Sequence, residues 1–327
     1  MKEPIKIYIF SPAFITSGGP EFCQQICCEL NKYSSINAKI LYLVEDENIK
    51  GIHPDLYAKR YNNNYVINHA PEKDSIIFFP EVCAELMYSP IFNHCKYRFF
   101  VWMSVNYYLR DTPSQLLNYF PANTYHLYQG DYSKDYLLSF AKIKPEKMFP
   151  LVDYISNDFI FTDVKVKNKK ENMITFQMDK GTDILAKVIE ELHQRHLDLT
   201  AAPIKNLTTE QIVEKFSRSK IFLHLGWNPG MDRMPREASM LDNIIILSTL
   251  GSGKYYNDHP FPNEYKFDLS EKDCVKQIAD KIEECLDNYE EKIKDFKQYK
   301  QRNREQKARF QEDIRRIVEF IEKSGNE

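Results

Sequence analysis

This chain has little charge of one sign, no long apolar run and no metal-binding array of cysteines, and each shortage removes a class of protein. Its 44 Lys and Arg stand against 47 Asp and Glu, a net charge of -3, so the basic footprint of a nucleic-acid partner is missing. No apolar stretch approaches the roughly 20 residues of a bilayer-spanning helix, and residues 1–10 lack the uncharged core of a signal peptide. A soluble, cytoplasmic protein is expected. The seven Cys are odd in number and lack paired metal spacing, and Cys23, Cys27 and Cys28 share one helical segment, so buried thiols are expected. Two glycine motifs also fall short. Residues 251–254, Gly-Ser-Gly-Lys, are not a P-loop, because Ser248 stands where Gly is needed and Tyr255 where Ser or Thr is needed. Ser17-Gly18-Gly19-Pro20 is not GxGxxG, since Pro20 and Glu21 occupy places for small residues, which disfavours an NAD-dependent dehydrogenase or epimerase.

What is present is a pattern of apolar runs alternating with helical ones. Hydrophobic residues make up 43% of the 327, with 21 Tyr and 21 Phe, enough for two globular cores. Strands are predicted at 6–10, 38–44, 75–79, 97–101 and 124–128, with a helix at 20–31 after a loop at 11–19. A charged, Lys-rich stretch at 163–171 breaks the pattern, which then restarts with strands at 173–177, 199–204, 221–225, 244–248 and 265–268 and a helix at 182–193. Continuous apolar strands separated by helices predict parallel sheets covered on both faces, with ligands at the carboxyl ends of the strands. The expected organisation is α/β, with domains at 1–160 and 161–270 and a helical segment at 271–327. In that segment Val275, Ile278, Ile282, Cys285, Tyr289, Ile293 and Phe296, then Phe310, Ile314, Ile317 and Ile321, recur at three- and four-residue steps. They predict one or two long amphipathic helices that pack back on the first domain or pair two chains as a homodimer. Lys300, Arg302, Arg304 and Lys307 form a basic cluster there, either a solvated face or a peripheral contact with the inner face of a cell membrane.

Residues 222–254 carry the most chemistry, because a strand, a Gly/Pro turn, a short helix, a second strand and a Gly-rich loop follow without a break. The helix is expected to open at Pro235, which suits a first turn where its missing N–H has no intrahelical partner. Free amides at such a terminus attract anions, and Arg233 and Arg236 add fixed positive charge. Glu237 beside them offers a carboxylate for two hydroxyls. Cations for a diphosphate next to a carboxylate for a ribose suggest a nucleotide-sugar site; the other reading is an Arg/Glu pair capping a helix.

Four places resemble the bacterial glycosyltransferases of the GT-B type. Ser17-Gly18-Gly19-Pro20 before a helix resembles their Gly-Gly loop, and Lys180-Gly181 resembles the Lys-Gly opening the second domain's first helix. Gly230 to Ala238 resembles the donor turn of the retaining family-4 enzymes, and residues 248–253 resemble the Gly-containing turn after the next strand. Segments 101–108, 126–132 and 149–154 resemble proteins of this kind found among surface-polysaccharide functions. The resemblance implies two Rossmann-like domains facing across a cleft, with long C-terminal helices and no cofactor. It implies transfer of a sugar from a nucleotide diphosphate sugar to an oligosaccharide or lipid-linked acceptor, as in capsule or lipopolysaccharide biosynthesis. Lys180, Gly181, Trp227, Gly230, Arg233, Arg236, Glu237, Gly251 and Ser252 would then bind the donor. Gly18, Gly19, Ser104, Asn106 and Gln129 would belong to acceptor or interdomain loops.

The family-4 pattern has two Glu seven residues apart. Glu237 matches the later one, whereas Pro229 stands where the earlier belongs, which keeps open a non-catalytic relative that binds or assembles glycans. No Asp-x-Asp pair follows a strand, as a divalent-ion site of the other nucleotide-sugar fold would require, so no metal is expected. An inverting transfer needs a general base in the first domain, for which Glu21, His126 and Asp131 are candidates. His224, inside an apolar strand, reads as a core histidine or a donor contact. Trp102, Tyr107, Tyr108, Tyr128 and Tyr132 offer aromatic faces to an acceptor sugar, or serve the core.

Overall fold

A computed structural model of the chain describes residues 3–160, 169–178, 181–195 and 198–324. The chain divides into two compact units, Met1–Asp153 with Ala308–Glu327, and Tyr154–Lys307. The expected change of domain at residue 160 therefore lies within the second unit, and residues 163–168 of the Lys-rich stretch lie outside the described residues.

The first unit contains strands β1 (Ile5–Phe10), β2 (Ile36–Tyr42), β3 (Tyr65–Ile67), β4 (Ile76–Pro80), β5 (Tyr97–Trp102), β6 (Thr124–Tyr128) and β7 (Met148–Pro150). Its helices are α1 (Gly18–Leu30), α2 (Asp55–Tyr61), α3 (Val105–Asp111) and α4 (Asp131–Ser139). The strands form one sheet in the order β3-β2-β1-β4-β5-β6-β7, every pair parallel. All five residues of β4 are buried, which is why that strand reads as a run rather than an alternation. Phe22, Cys23, Ile26, Cys27 and Leu30 give α1 an apolar stripe at 1% exposure or less, so Cys23 and Cys27 are core residues and Cys28 is half-buried.

The second unit contains α5 (Asn157–Ile160), β8 (Glu171–Gln177), α6 (Thr182–Gln194), β9 (Thr200–Ile204), α7 (Thr209–Arg218), β10 (Ser219–His224), α8 (Arg233–Met240), β11 (Ile244–Ser248) and β12 (Lys266–Phe267). Helices α9 (Cys274–Asp287) and α10 (Tyr289–Lys292) follow, and α11 (Lys297–Ser324) closes the chain. The sheet order is β12-β11-β10-β8-β9, again all parallel.

Helix α11 serves both units. Within the second, Lys300 pairs with Asp242 at 2.6 Å and Asn303 donates to the Ser239 hydroxyl at 2.9 Å. Within the first, Phe310, Ile314, Ile317 and Ile321 are buried, and Phe320 packs against Tyr97, Tyr125 and Phe149 of β5, β6 and β7. The apolar stripe read from the sequence is thus covered in part by the chain's own first unit. The basic cluster is also partly consumed, since Lys300 is ion-paired and Lys307 lies over the Tyr154 ring. Among the described residues no helix is long and apolar enough to cross a membrane.

Candidate functional site

The second unit gathers its turn residues at the carboxyl ends of β8, β10 and β11, and the loops after β10 and β11 are stitched together. Asn228 and Gly251 form a parallel bridge; the Asn228 amide donates to the Leu250 carbonyl at 3.2 Å and the Ser252 amide to the Asn228 carbonyl at 2.8 Å. The fully buried Asn228 side-chain amide spans the carbonyls of Ser248 at 3.2 Å, Leu250 at 3.3 Å and Gly226 at 3.5 Å. The hydroxyl of Ser252 donates to the Gly230 carbonyl at 2.7 Å, and that of Ser248 donates to Gly226.

Glycine is required where these backbones meet. Gly251 sits at φ +65°, and a Cβ on it would stand 2.0 Å from the Asn228 carbonyl oxygen and 2.7 Å from the Trp227 indole nitrogen. Gly181, which caps α6 at φ +69°, would push a Cβ to 2.2 Å from the Leu225 carbonyl oxygen. Both positions combine the left-handed backbone with a close approach of main chain, so a side chain fails twice. Lys180, the cation expected beside Gly181, lies outside the described residues.

Helix α8 begins at Arg233, two residues before the expected Pro235, which is buried in its first turn. Arg236 is 1% exposed and donates to the carbonyls of Met231 at 2.8 Å and Asp232 at 3.3 Å. Its fork therefore folds the preceding loop onto the helix. Arg233 and Glu237, four residues apart and so on one face, are half-buried. Trp227 is 46% exposed, and Gly230 is buried. His224 is fully buried with Nε2 at 3.1 Å from a carboxylate oxygen of Asp232, which places it in the core, tied to the residue that precedes α8. The second unit's carboxyl-end loops thus bring together the N-termini of α6 and α8, a cation in Arg233 and a carboxylate in Glu237 on α8, and an exposed Trp227 beside Gly251.

In the first unit the expected residues occupy loops at the ends of β1, β5 and β6. Gly18 and Gly19 open α1, and among the described residues a Cβ on Gly19 would meet the Met103 side chain, at 3.5 Å. Ser104 caps α3 by accepting from the Tyr107 amide at 3.0 Å. Asn106 accepts from the Tyr132 hydroxyl at 3.1 Å, and the Gln129 amide donates to Asp153 at 3.1 Å. Glu21 is buried in an ion pair with Arg60 at 2.5 Å and accepts from the Tyr61 hydroxyl at 2.7 Å. His126 is the middle residue of β6, 1% exposed, with Nδ1 accepting from the Trp102 indole at 3.0 Å; burial lowers its pKa to about 3. Those are the surroundings of a core histidine. Asp131 is half-buried in the first turn of α4. Trp102 and Tyr108, offered above as acceptor platforms, are at 0% and 1% exposure and pack on each other with ring centres 4.7 Å apart, so they belong to the core.

Three residues of these clusters were not singled out from the sequence. Asn228 stitches two loops whose bonded positions are some twenty residues apart, His259 reaches Ser252 from a later loop, and Glu81 is a buried acid just beyond β4. Glu81 accepts from the Met103 amide at 3.2 Å, and burial pushes its carboxyl up to about 8. The only sequence signals were an Asn inside a Gly/Pro turn and an acid directly after a five-residue apolar run.

No protein-family model and no curated protein matches this sequence. Solved structures do match its fold. A glycosyltransferase from Rickettsia africae superposes with a TM-score of 0.66 at 12% identity, over 98% of this chain and 99% of that one. The fold is that of the GT-B glycosyltransferases. HepE of Anabaena, solved in complex with UDP-glucose, gives 0.64 at 11% identity over 96% of this chain and 99% of its own. WaaG, a glycosyltransferase involved in lipopolysaccharide biosynthesis, gives 0.55 at 12% identity over 95% and 99%. At these identities the likeness speaks for the GT-B fold alone.

Proposed function

We propose that this chain is a glycosyltransferase that moves a sugar from a nucleotide diphosphate sugar to a cell-surface glycan, an oligosaccharide or lipid-linked acceptor of capsule or lipopolysaccharide type. The observation that carries the reading is the interlocked set of loops after β8, β10 and β11, with Gly181 against Leu225, Gly251 against Asn228 and Trp227, and Ser252 bonded to Gly230. That a GT-B neighbour was solved with UDP-glucose supports the same choice of ligand.

The chemistry follows from the charges. Glycosyl transfer develops negative charge on the departing diphosphate, and stabilising it supplies much of the rate. The α6 and α8 N-termini, Arg233 and Lys180 would meet that charge without a metal ion. Glu237 would hold the ribose hydroxyls and Trp227 the base or sugar. Arg236 would keep the donor turn in shape rather than meet phosphate, because it is 1% exposed and turns two of its donors to loop carbonyls. If transfer inverts configuration, Asp131 is the candidate base that solvent and an acceptor can reach, since it is half-buried whereas Glu21 and His126 are buried.

A panel of UDP, GDP, dTDP and CMP sugars in a thermal-shift assay tests the reading. One nucleotide should raise the midpoint, and Glu237→Ala and Arg233→Ala should each weaken that shift about tenfold in ligand concentration, in line with loss of one charged hydrogen bond. Unaltered affinity in both variants would remove the site. A second reading, a non-catalytic GT-B relative that binds glycans, draws on Pro229 standing where a second carboxylate belongs; donor binding without turnover would select it.

A further inference from the structure

Behind Ser252 runs a directional chain of buried hydrogen bonds. The Ser252 hydroxyl spends its proton on the Gly230 carbonyl at 2.7 Å, so it can only accept from His259, whose Nε2 lies 3.0 Å from Oγ. That fixes the proton on Nε2 and leaves Nδ1 as an acceptor, 3.4 Å from the Tyr299 hydroxyl on α11. Each member has one role left to play. Ser252 and His259 are 1% exposed and Tyr299 0%. The backbone of His259 is pinned as well, its carbonyl accepting from Lys266 Nζ of β12 at 2.8 Å.

The ring is kept neutral by its surroundings. Burial lowers the ring's pKa well below its usual value, Lys266 on β12, His224 at the end of β10 and Arg236 on α8 lower it further, and Asp232 before α8 alone works the other way. A charged ring would donate from both nitrogens, so the Tyr299 hydroxyl would have to turn from donor to acceptor.

We propose that His259 is a positioning residue of the donor site: through Ser252 it fixes the Gly230 turn, and Tyr299 anchors it to the C-terminal helix. This rests on the donor-site reading above, but the chain itself is testable without ligand. In the wild-type protein, 15N NMR of histidine should show, beside the His126 ring, a second ring held as the neutral Nε2–H tautomer across pH 5.5–8, assigned to His259 by its loss in His259→Gln and shifted by Tyr299→Phe. A His259 ring that titrates normally in that range would overturn the proposal whatever binds. The second arm uses UDP, GDP, dTDP and CMP sugars as probes. His259→Ala should weaken the one that binds about fivefold to tenfold, the scale of one positioning hydrogen bond, and His259→Gln, whose amide can still donate to Ser252, should recover most of it. Wild-type affinity in His259→Ala, or a Gln variant as weak as Ala at matched thermal stability, would overturn the positioning role. Failure of every probe on the wild-type protein, with the tautomer intact, would instead count against the donor-site reading.

Discussion

The two sheets share parallel topology and loops at their carboxyl ends, yet those loops are built differently. In the second unit the turns after β8, β10 and β11 touch backbone to backbone, and a Cβ on Gly181, Gly251 or Gly253 would come within 2.2 Å of a carbonyl oxygen. In the first unit the corresponding glycine turn is open, with Gly19 facing a methionine side chain at 3.5 Å. Its polar groups are instead absorbed by side chains: Glu21 by Arg60 and Tyr61, and Gln24 by Tyr42 and Asn63. One surface is held rigid by main chain, which would suit the small, invariant diphosphate of the proposed donor. The other is lined by side chains, which could be varied without rebuilding the fold, as the proposed acceptor side would require.

That contrast can be broken by substitution. The largest effect is expected for Gly251→Val, where left-handed strain and overlap with Asn228 combine; a loss of roughly 4 kcal/mol or more, read by urea unfolding, would match the severest mechanisms. Asn228→Ala strands buried carbonyls and should cost about 1–3 kcal/mol in the same assay. In the first unit, Glu81 bears a pH signature. Its carboxyl titrates near 8 when folded and at the ordinary 4.5 when unfolded, so unfolding between those values releases a proton. The Glu81 contribution to stability should therefore decline as pH rises from about 5 to 8, and Glu81→Gln should flatten the slope of the thermal midpoint with pH. The smallest effect is expected for Gly19→Ala, within about 0.5 kcal/mol of the wild type, since that contact is ordinary and Ala favours a helix. A large loss there would erase the difference between the two loop systems.

Much of the fold was legible because continuous apolar runs belong to buried parallel strands, and β4, β5, β10 and β11 lie within a residue or two of the expected positions. The edge strands β3 and β7 were not, since each has three residues, too few to set a period, and β7 ends in Pro150. Helix α2 escaped for a related reason, burying Tyr57 alone. In the candidate site, Gly251 and Arg236 were expected from the sequence, whereas the inward turn of Arg236 was not. Its partners are the carbonyls of Met231 and Asp232, and backbone acceptors leave no mark in residue type. His259 was hidden because its partners, Ser252 and Tyr299, lie seven residues before it and forty after it.

The chain has two tryptophans, Trp102 buried at 0% exposure and Trp227 exposed at 46% beside Gly251, so emission that responds to ligand reports on the second unit's loops. Titrating the wild-type protein with UDP, GDP, dTDP and CMP sugars should give saturable quenching with one of them, lost in Trp227→Phe and retained in Trp102→Phe. Emission that no nucleotide sugar alters, at concentrations up to the millimolar range of weak binding, would contradict a donor site in these loops.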